Sequence, residues 1–384
     1  MTAFQFATAQ KIIFGVGEAV SLGQLARQFG VRALVITGRD PIRVDALVRS
    51  MRAAGITTTV FARDGEPTIE IVSAAVSQAR DLNAELIVGI GGGSAIDTAK
   101  ATAALFTNPG PILDYLEVIG GGHPLTKEPL PCIAVPTTAG AGAEATYNAV
   151  IRATEHHVKV SLRHPKMLPQ IALVDPTLTY SLPPAVTAAT GMDALTQVIE
   201  PYVSRFANPI SDALAREGIQ RAGALQRAYH QGNDQAARAD MALISLMGGM
   251  ALSNARLGAV HGLAGVIGGM YTAPHGAVCA ALLPGIMRAN IHALRQRAPE
   301  SPIIDRYTQI ARWVTGDTDA APEDGVAWAA ATVHALAIPP LSSYGIDNTA
   351  FPEIIAAAQK SSSMKGNPIA LTDEELADVL SDAG

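Results

Sequence analysis

Cysteine is nearly absent: the 384-residue chain holds two, Cys132 and Cys279, each in an apolar setting. That scarcity speaks against a disulfide framework or a thiolate metal site and fits two buried core thiols in a reducing compartment. Charge is sparse as well, 16% of residues with a net of -6, and no basic run is longer than scattered arginine pairs, so nucleic acid is not expected as a partner. Long hydrophobic runs are missing too. No window reaches about 18 uninterrupted apolar residues, and Met1 to Gly15 has no apolar segment of signal-peptide length, so no membrane partner is expected and the cytoplasm is the expected location. What the chain does have is 48% hydrophobic residues, enough to bury the cores of two soluble domains.

Between Arg32 and Asp175, short β-rich apolar runs (33–37, 58–61, 86–88, 133–135) alternate with helical patterns near 42–54, 68–82 and 94–105. This predicts a doubly wound α/β domain around a mostly parallel sheet, covered on both faces because the runs do not alternate with polar residues. A hairpin is expected from 145–151 and 158–162, around Thr154-Glu155-His156-His157, before a last strand at 171–174. After Pro183-Pro184 the composition turns to Ala, Leu, Gly and Met with helical periodicity, giving helices near 185–204, 209–230, 234–254, 275–294, 303–314, 322–335 and 350–360. The expected division is an α/β dinucleotide-binding domain over 1–182 and an all-α domain over 183–384, with a small-molecule cleft between them.

The apolar run Leu86-Ile87-Val88 stops at Gly89-Ile90-Gly91-Gly92-Gly93, and helix-prone residues follow. Three glycines in a row permit a tight turn and leave backbone N–H groups uncovered at the positive end of a helix, where an anion such as a phosphate is favoured. Ser94 and Asp97 have the spacing of a capping box. The alternative reading is an ordinary strand-to-helix turn that needs no ligand.

A second constellation lies in the helical half. Asp193 and Gln197, four residues apart, share one face of a helix in apolar surroundings. His261 and His275 follow, the second within Pro274-His275-Gly276, a turn into a helix. A carboxylate, two imidazoles and an amide oxygen make a donor set for a divalent cation with a position open to substrate. The competing reading has each histidine as a satisfied core or interface residue. The other seven, His123, His156, His157, His164, His230, His292 and His334, fall in loops or polar segments and are assigned no chemistry.

Four segments in order, Gly91-Gly92-Gly93-Ser94-Ala95-Ile96-Asp97-Thr98-Ala99-Lys100, Pro136-Thr137-Thr138-Ala139-Gly140-Ala141-Gly142-Ala143-Glu144, Gly191-Met192-Asp193-Ala194-Leu195-Thr196, and His261 with Pro274-His275-Gly276, resemble the iron-containing (group III) alcohol dehydrogenase family across about residues 10–295. The resemblance implies a metal-dependent oxidoreductase. It would interconvert a small alcohol and its aldehyde or ketone by hydride transfer with NAD or NADP, using Fe2+ or Zn2+, as a homodimer or larger homo-oligomer. By position it implies that Gly92, Gly93, Ser94 and Asp97 hold the pyrophosphate, that Thr137 and Thr138 line the nicotinamide side, and that Lys159 lies near the cofactor ribose. Asp193, His261 and His275 match three of the four metal ligands.

Two departures stand out. Gln197 occupies the place where the family usually has histidine, and a neutral amide oxygen is a weaker ligand than imidazole, so affinity falls or coordination becomes three-residue. Gly265 stands where many members have a second histidine near the substrate, so proton exchange must run through water or another residue. Cofactor choice is marked by Thr37-Gly38-Arg39: Gly38 replaces the Asp that often follows this Thr in NAD-preferring members, and Arg39 and Arg43 are available to a 2′-phosphate, which points to NADP(H). Three other functions compete. One is a metal-independent reductase of maleylacetate-reductase type. Another is a dehydroquinate-synthase-like lyase, which needs a basic cluster where segments 185–205 and 257–275 offer only Arg205. The third is a nucleotide-binding protein without catalysis.

Overall fold

The computed structural model describes residues 3–156 and 158–384. Two compact units result: Ala7–Tyr180, and Ser181–Gly384 together with the described residues before Ala7.

The first unit runs β1 (Lys11–Phe14), α1 (Leu22–Arg27), β2 (Arg32–Thr37), α2 (Asp45–Ala53), β3 (Thr57–Ala62), α3 (Ile69–Asp81), β4 (Leu86–Gly91), α4 (Gly93–Thr107), β5 (Cys132–Pro136), β6 (Asn148–Ala153), β7 (Val158–Arg163) and β8 (Ile171–Val174). Six strands form one parallel sheet in the order β1-β8-β5-β4-β2-β3. β4 and β5 are buried along their whole length, and successive residues feed opposite faces: Leu86, Val88 and Ile90 join a core with Leu22 and Met51, while Ile87 packs with Ala75 and Ala99. The expected hairpin forms as the antiparallel pair β6–β7, its first strand starting three residues later and ending two residues later than anticipated, with Ile151 paired to Val160. His157, at its turn, lies outside the described residues. β1 had no counterpart among the expected strands. It is a four-residue edge strand that pairs only with β8, too short for a periodicity signal.

The second unit is helical: α5 (Pro184–Val203), α6 (Pro209–Gln220), α7 (Ala224–His230), α8 (Gln235–Ala255), α9 (Ala259–Met270), α10 (His275–Arg297), α11 (Ile303–Thr315), α12 (Pro322–Ala335), α13 (Phe351–Ala358) and α14 (Asp373–Asp382). The single helix expected over 209–230 breaks at 221–223, where Gly223 precedes α7. α9 and α14 were not expected. α9 carries four glycines, which suppress helix propensity, whereas α14 opens on a Thr372–Glu375 capping box that was there to be read. His292 and His334 sit on α10 and α12 rather than in loops, with both side chains facing solvent. Among the described residues, α10 alone is by itself long and apolar enough to cross a membrane, but 78% of its apolar window is buried within the protein.

Candidate active site

The glycine loop closes the carboxyl end of β4. None of Gly91, Gly92 and Gly93 has a positive φ, so turn conformation is not what requires them. Crowding is: a Cβ on Gly91 would stand 2.7 Å from the Ala95 methyl, and one on Gly93 2.7 Å from the Ala141 methyl. Side chains here would push α4 off the sheet and cover the backbone that faces an anion. Gly92, not Ser94, is the N-cap, and Ser94 lies one residue inside the helix, so the expected capping box does not form. Thr137 follows β5 and donates its N–H to the Gly91 carbonyl at 2.9 Å, and Thr138 lies beside Gly92. Gly38, after β2, approaches Gly91 from the other side. The carboxyl ends of β2, β4 and β5 thus bring Gly38, the glycine loop and Thr137–Thr138 together, the usual ligand edge of an open parallel sheet.

Asp97 has a structural engagement. Its carboxylate accepts from the Val150 N–H at 3.0 Å and pairs with the Lys100 ammonium at 2.9 Å. Lys100 is fully buried and also donates to the Ala143 carbonyl (2.9 Å), the Thr146 hydroxyl (2.8 Å) and the Asn148 carbonyl. The pair therefore fastens α4, and with it the cradle, to the segment leading into β6. Burial pushes the neighbouring Glu144 carboxyl up to about 7.

Beyond the cradle, Arg39 forms an exposed ion pair with Asp64 at 3.2 Å, and Lys159 pairs with Glu66. Sequence reasoning passed over Arg63. It follows β3 directly, is 7% exposed, and its Nε and Nη1 have no hydrogen-bond partner. Burial pulls its pKa down to about 10 against the attraction of Asp97, Glu66 and Asp64.

In the helical unit α5, α9 and α10 assemble the second cluster. α5 puts Asp193 and Gln197 on one face, one turn apart, both buried. α10 begins at His275 and meets α5 closely because its next residue is glycine: a Cβ on Gly276 would lie 2.1 Å from the Ala189 carbonyl oxygen. α9 has no side-chain cap of its own. Glu200 on α5 accepts from its Val260 N–H at 2.7 Å, and Asn367 accepts from Ala259 at 3.1 Å, so a glycine-rich helix is held at its first turn. The same Glu200 carboxylate is 2.7 Å from His261 Nδ1, which turns His261 Nε2 toward Asp193 Oδ1 at 3.2 Å. His275 Nε2 lies 3.9 Å from that oxygen. Glu200 is a missed residue, although it sits two turns after Asp193 on the same helix.

The electrostatics match a cation pocket. Burial opposes ionisation of Asp193, yet hydrogen bonds from His261 and Gln197 and the two imidazoles hold it below the usual carboxylate range. Burial also works against charging His261, but Cys279, Asp193 and Glu200 outweigh it and raise its pKa well above the ordinary value. Gln197 Oε1 is buried without a partner. Asp193, His261, His275 and Cys279 each offer a ligand atom, all within 4.8 Å of one another. A buried carboxylate with two imidazoles, one locked by a second carboxylate, is the arrangement by which proteins fix a divalent metal. Cys279, read from sequence as core, is buried beside these side chains.

Comparison with known proteins places the chain in a family. Residues 9–176 match the model for iron-containing alcohol dehydrogenase, and residues 187–384 match that for the C-terminal region of the Fe-containing alcohol dehydrogenase family. Alcohol dehydrogenase 4 of Saccharomyces cerevisiae (strain YJM789) is 40% identical over 68% of this chain and 66% of its own length, just under two thirds. The 1,3-propanediol dehydrogenase of Citrobacter freundii is 33% identical over 99% of this chain and 98% of its own. A crystal structure of 1,3-propanediol oxidoreductase superposes with a TM-score of 0.91 at 32% identity, covering all of both chains. Family membership implies a nicotinamide cofactor and an iron-type metal. The chain belongs to the iron-containing alcohol dehydrogenase family.

Proposed function

We propose that this protein interconverts a small alcohol and its aldehyde or ketone by hydride transfer with NAD(P)(H), with Fe2+ or Zn2+ held in the pocket of Asp193, Gln197, His261 and His275. The observation that carries this reading is the convergence of Asp193, His261 and His275, with Glu200 fixing the His261 ring. A cation gives these converging groups a common purpose, which disfavours the metal-independent reductase. When bound, the cation supplies Lewis acidity toward the substrate oxygen. Glu200 holds His261 in one tautomer, and Asp193 contributes the negative charge. His275, with its side chain 34% exposed, forms the side open to substrate. The near absence of basic residues around α5 and α9 favours a small, weakly polar substrate over a phosphorylated carboxylate, against the lyase alternative. On the cofactor side, Gly92, Gly93 and Ser94 offer backbone N–H groups to the pyrophosphate, with Asp97 tying their helix down. Thr137 and Thr138 line the nicotinamide, and Lys159 stands near the ribose. The proton route runs through water, because the position of a Gly265 side chain is open space. We place the enzyme in the cytoplasm as a homodimer or larger homo-oligomer.

NADP(H) is the favoured cofactor. A Cβ on Gly38 would meet nothing within 4 Å, leaving room for a 2′-phosphate. Arg63, buried with two unpartnered nitrogens just past the end of the neighbouring strand β3, offers it more than Arg39, which Asp64 already engages. The expected kcat/KM for aldehyde reduction is higher with NADPH than with NADH, and Gly38→Asp should reverse the ratio by on the order of tenfold or more, the worth of one charge-assisted contact. A strong NADH preference in the unmodified enzyme would sink the assignment.

A further inference from the structure

We propose that Cys279 is a ligand of the cation, filling the position for which Gln197 offers only a neutral amide, so that the donors are Asp193, His261, His275 and a thiolate. The inference rests on the metal-dependent reading above and specifies its coordination. Cys279 lies one turn after His275 on the same face of α10, with Sγ 3.7 Å from His275 Nε2. With bonds of about 2.0–2.3 Å, neighbouring donors on a tetrahedral ion stand roughly 3.3–3.6 Å apart. The separations here are 3.2 Å for His261 Nε2 to Asp193, 3.9 Å for His275 Nε2 to Asp193 and 3.7 Å for Sγ to His275, so small side-chain shifts complete the polyhedron.

Gln197 is arranged differently. It sits one turn after Asp193 and helps hold that carboxylate ionised, while its carbonyl oxygen lies 3.5 Å from where a Gly248 Cβ would be, on α8, and finds no partner. Gln197 is thus a positioning residue that orients the Asp193 carboxylate. Charge supports the exchange of donors: a carboxylate and a thiolate neutralise a divalent ion, whereas a carboxylate with neutral donors leaves a net positive centre among buried helices. The S–H proton passes to solvent as the sulfur–metal bond forms. A thiolate also moves preference from Fe2+ toward the softer Zn2+.

Titrating Co2+ into metal-free protein tests this by absorption. The expected result is stoichiometric binding with an intense thiolate-to-cobalt charge-transfer band in the near ultraviolet. Cys279→Ser should remove the band and weaken Co2+ binding on the order of 100-fold. Cys132→Ser should leave the band unchanged, and Gln197→Ala should keep it while weakening binding about tenfold, as for other orienting partners. Stoichiometric Co2+ with only weak d–d absorption in the unmodified protein would overturn the role of Cys279 and leave the metal-dependent reading standing, whether or not any variant folds. No Co2+ binding by the unmodified protein would overturn both.

Discussion

Asp193→Ala is expected to strip the protein of metal and reduce kcat/KM for aldehyde reduction by about 10³-fold or more, equivalent to roughly 4 kcal/mol of transition-state stabilisation. Among the described residues, Asp193 is the one acidic side chain that both His261 and His275 approach, at 3.2 and 3.9 Å. Its loss leaves the buried His261 and the partly exposed His275, whose pKa values are raised partly by that carboxylate. They would lose affinity for a cation together with the charge that orients them. Cofactor binding should be untouched, because the glycine cradle is built wholly within Ala7–Tyr180. The measurements are metal content by elemental analysis, steady-state kinetics and NADPH binding by fluorescence. Full metal content with unchanged kcat/KM would remove Asp193 from the site.

The largest expected effect on stability is at Lys100. Lys100→Met leaves the partly exposed Asp97 carboxylate without its counter-ion and withdraws the buried donor from the Ala143 carbonyl and Thr146 hydroxyl. Losing the ion pair and leaving these buried acceptors without a donor costs about 3–5 kcal/mol together. For a unit of this size, that corresponds to a fall in melting temperature on the order of 10 °C. The cradle should loosen as well, since the same contacts anchor α4, and the KM for cofactor should rise. Thermal unfolding checks the first consequence. A loss under about 1 kcal/mol would mean that Lys100 makes no more than an ordinary hydrogen bond.

These two residues also mark how far the sequence could be read. The sheet was legible because buried parallel strands leave continuous apolar runs, and the cradle because three glycines end one of them. Lys100 looked like one more residue of a motif. Three of its four partners, Ala143, Thr146 and Asn148, lie more than forty positions away, and only the fold brings them to it. Asp193, Gln197, His261 and His275 were legible as chemistry-bearing types, but the partner that locks His261 was not. Glu200 lies 61 residues from it in sequence, and nothing local marks it as a histidine orienter. α9 escaped because glycine, which weakens helical propensity, is what lets it pack closely: a Cβ on Gly262 would meet the Met364 methyl at 3.1 Å. Cys279 was read as core for a sound reason, its apolar neighbours, and is indeed buried. Burial among other donors is also what a metal pocket requires.

The most direct test of metal-dependent hydride transfer is to follow aldehyde-dependent NADPH oxidation before chelation, after complete metal removal, and after return of Fe2+ or Zn2+. Activity that disappears with the metal and returns with it, in proportion to the metal bound, is the predicted result. Undiminished turnover by protein shown by elemental analysis to be metal-free would contradict the account.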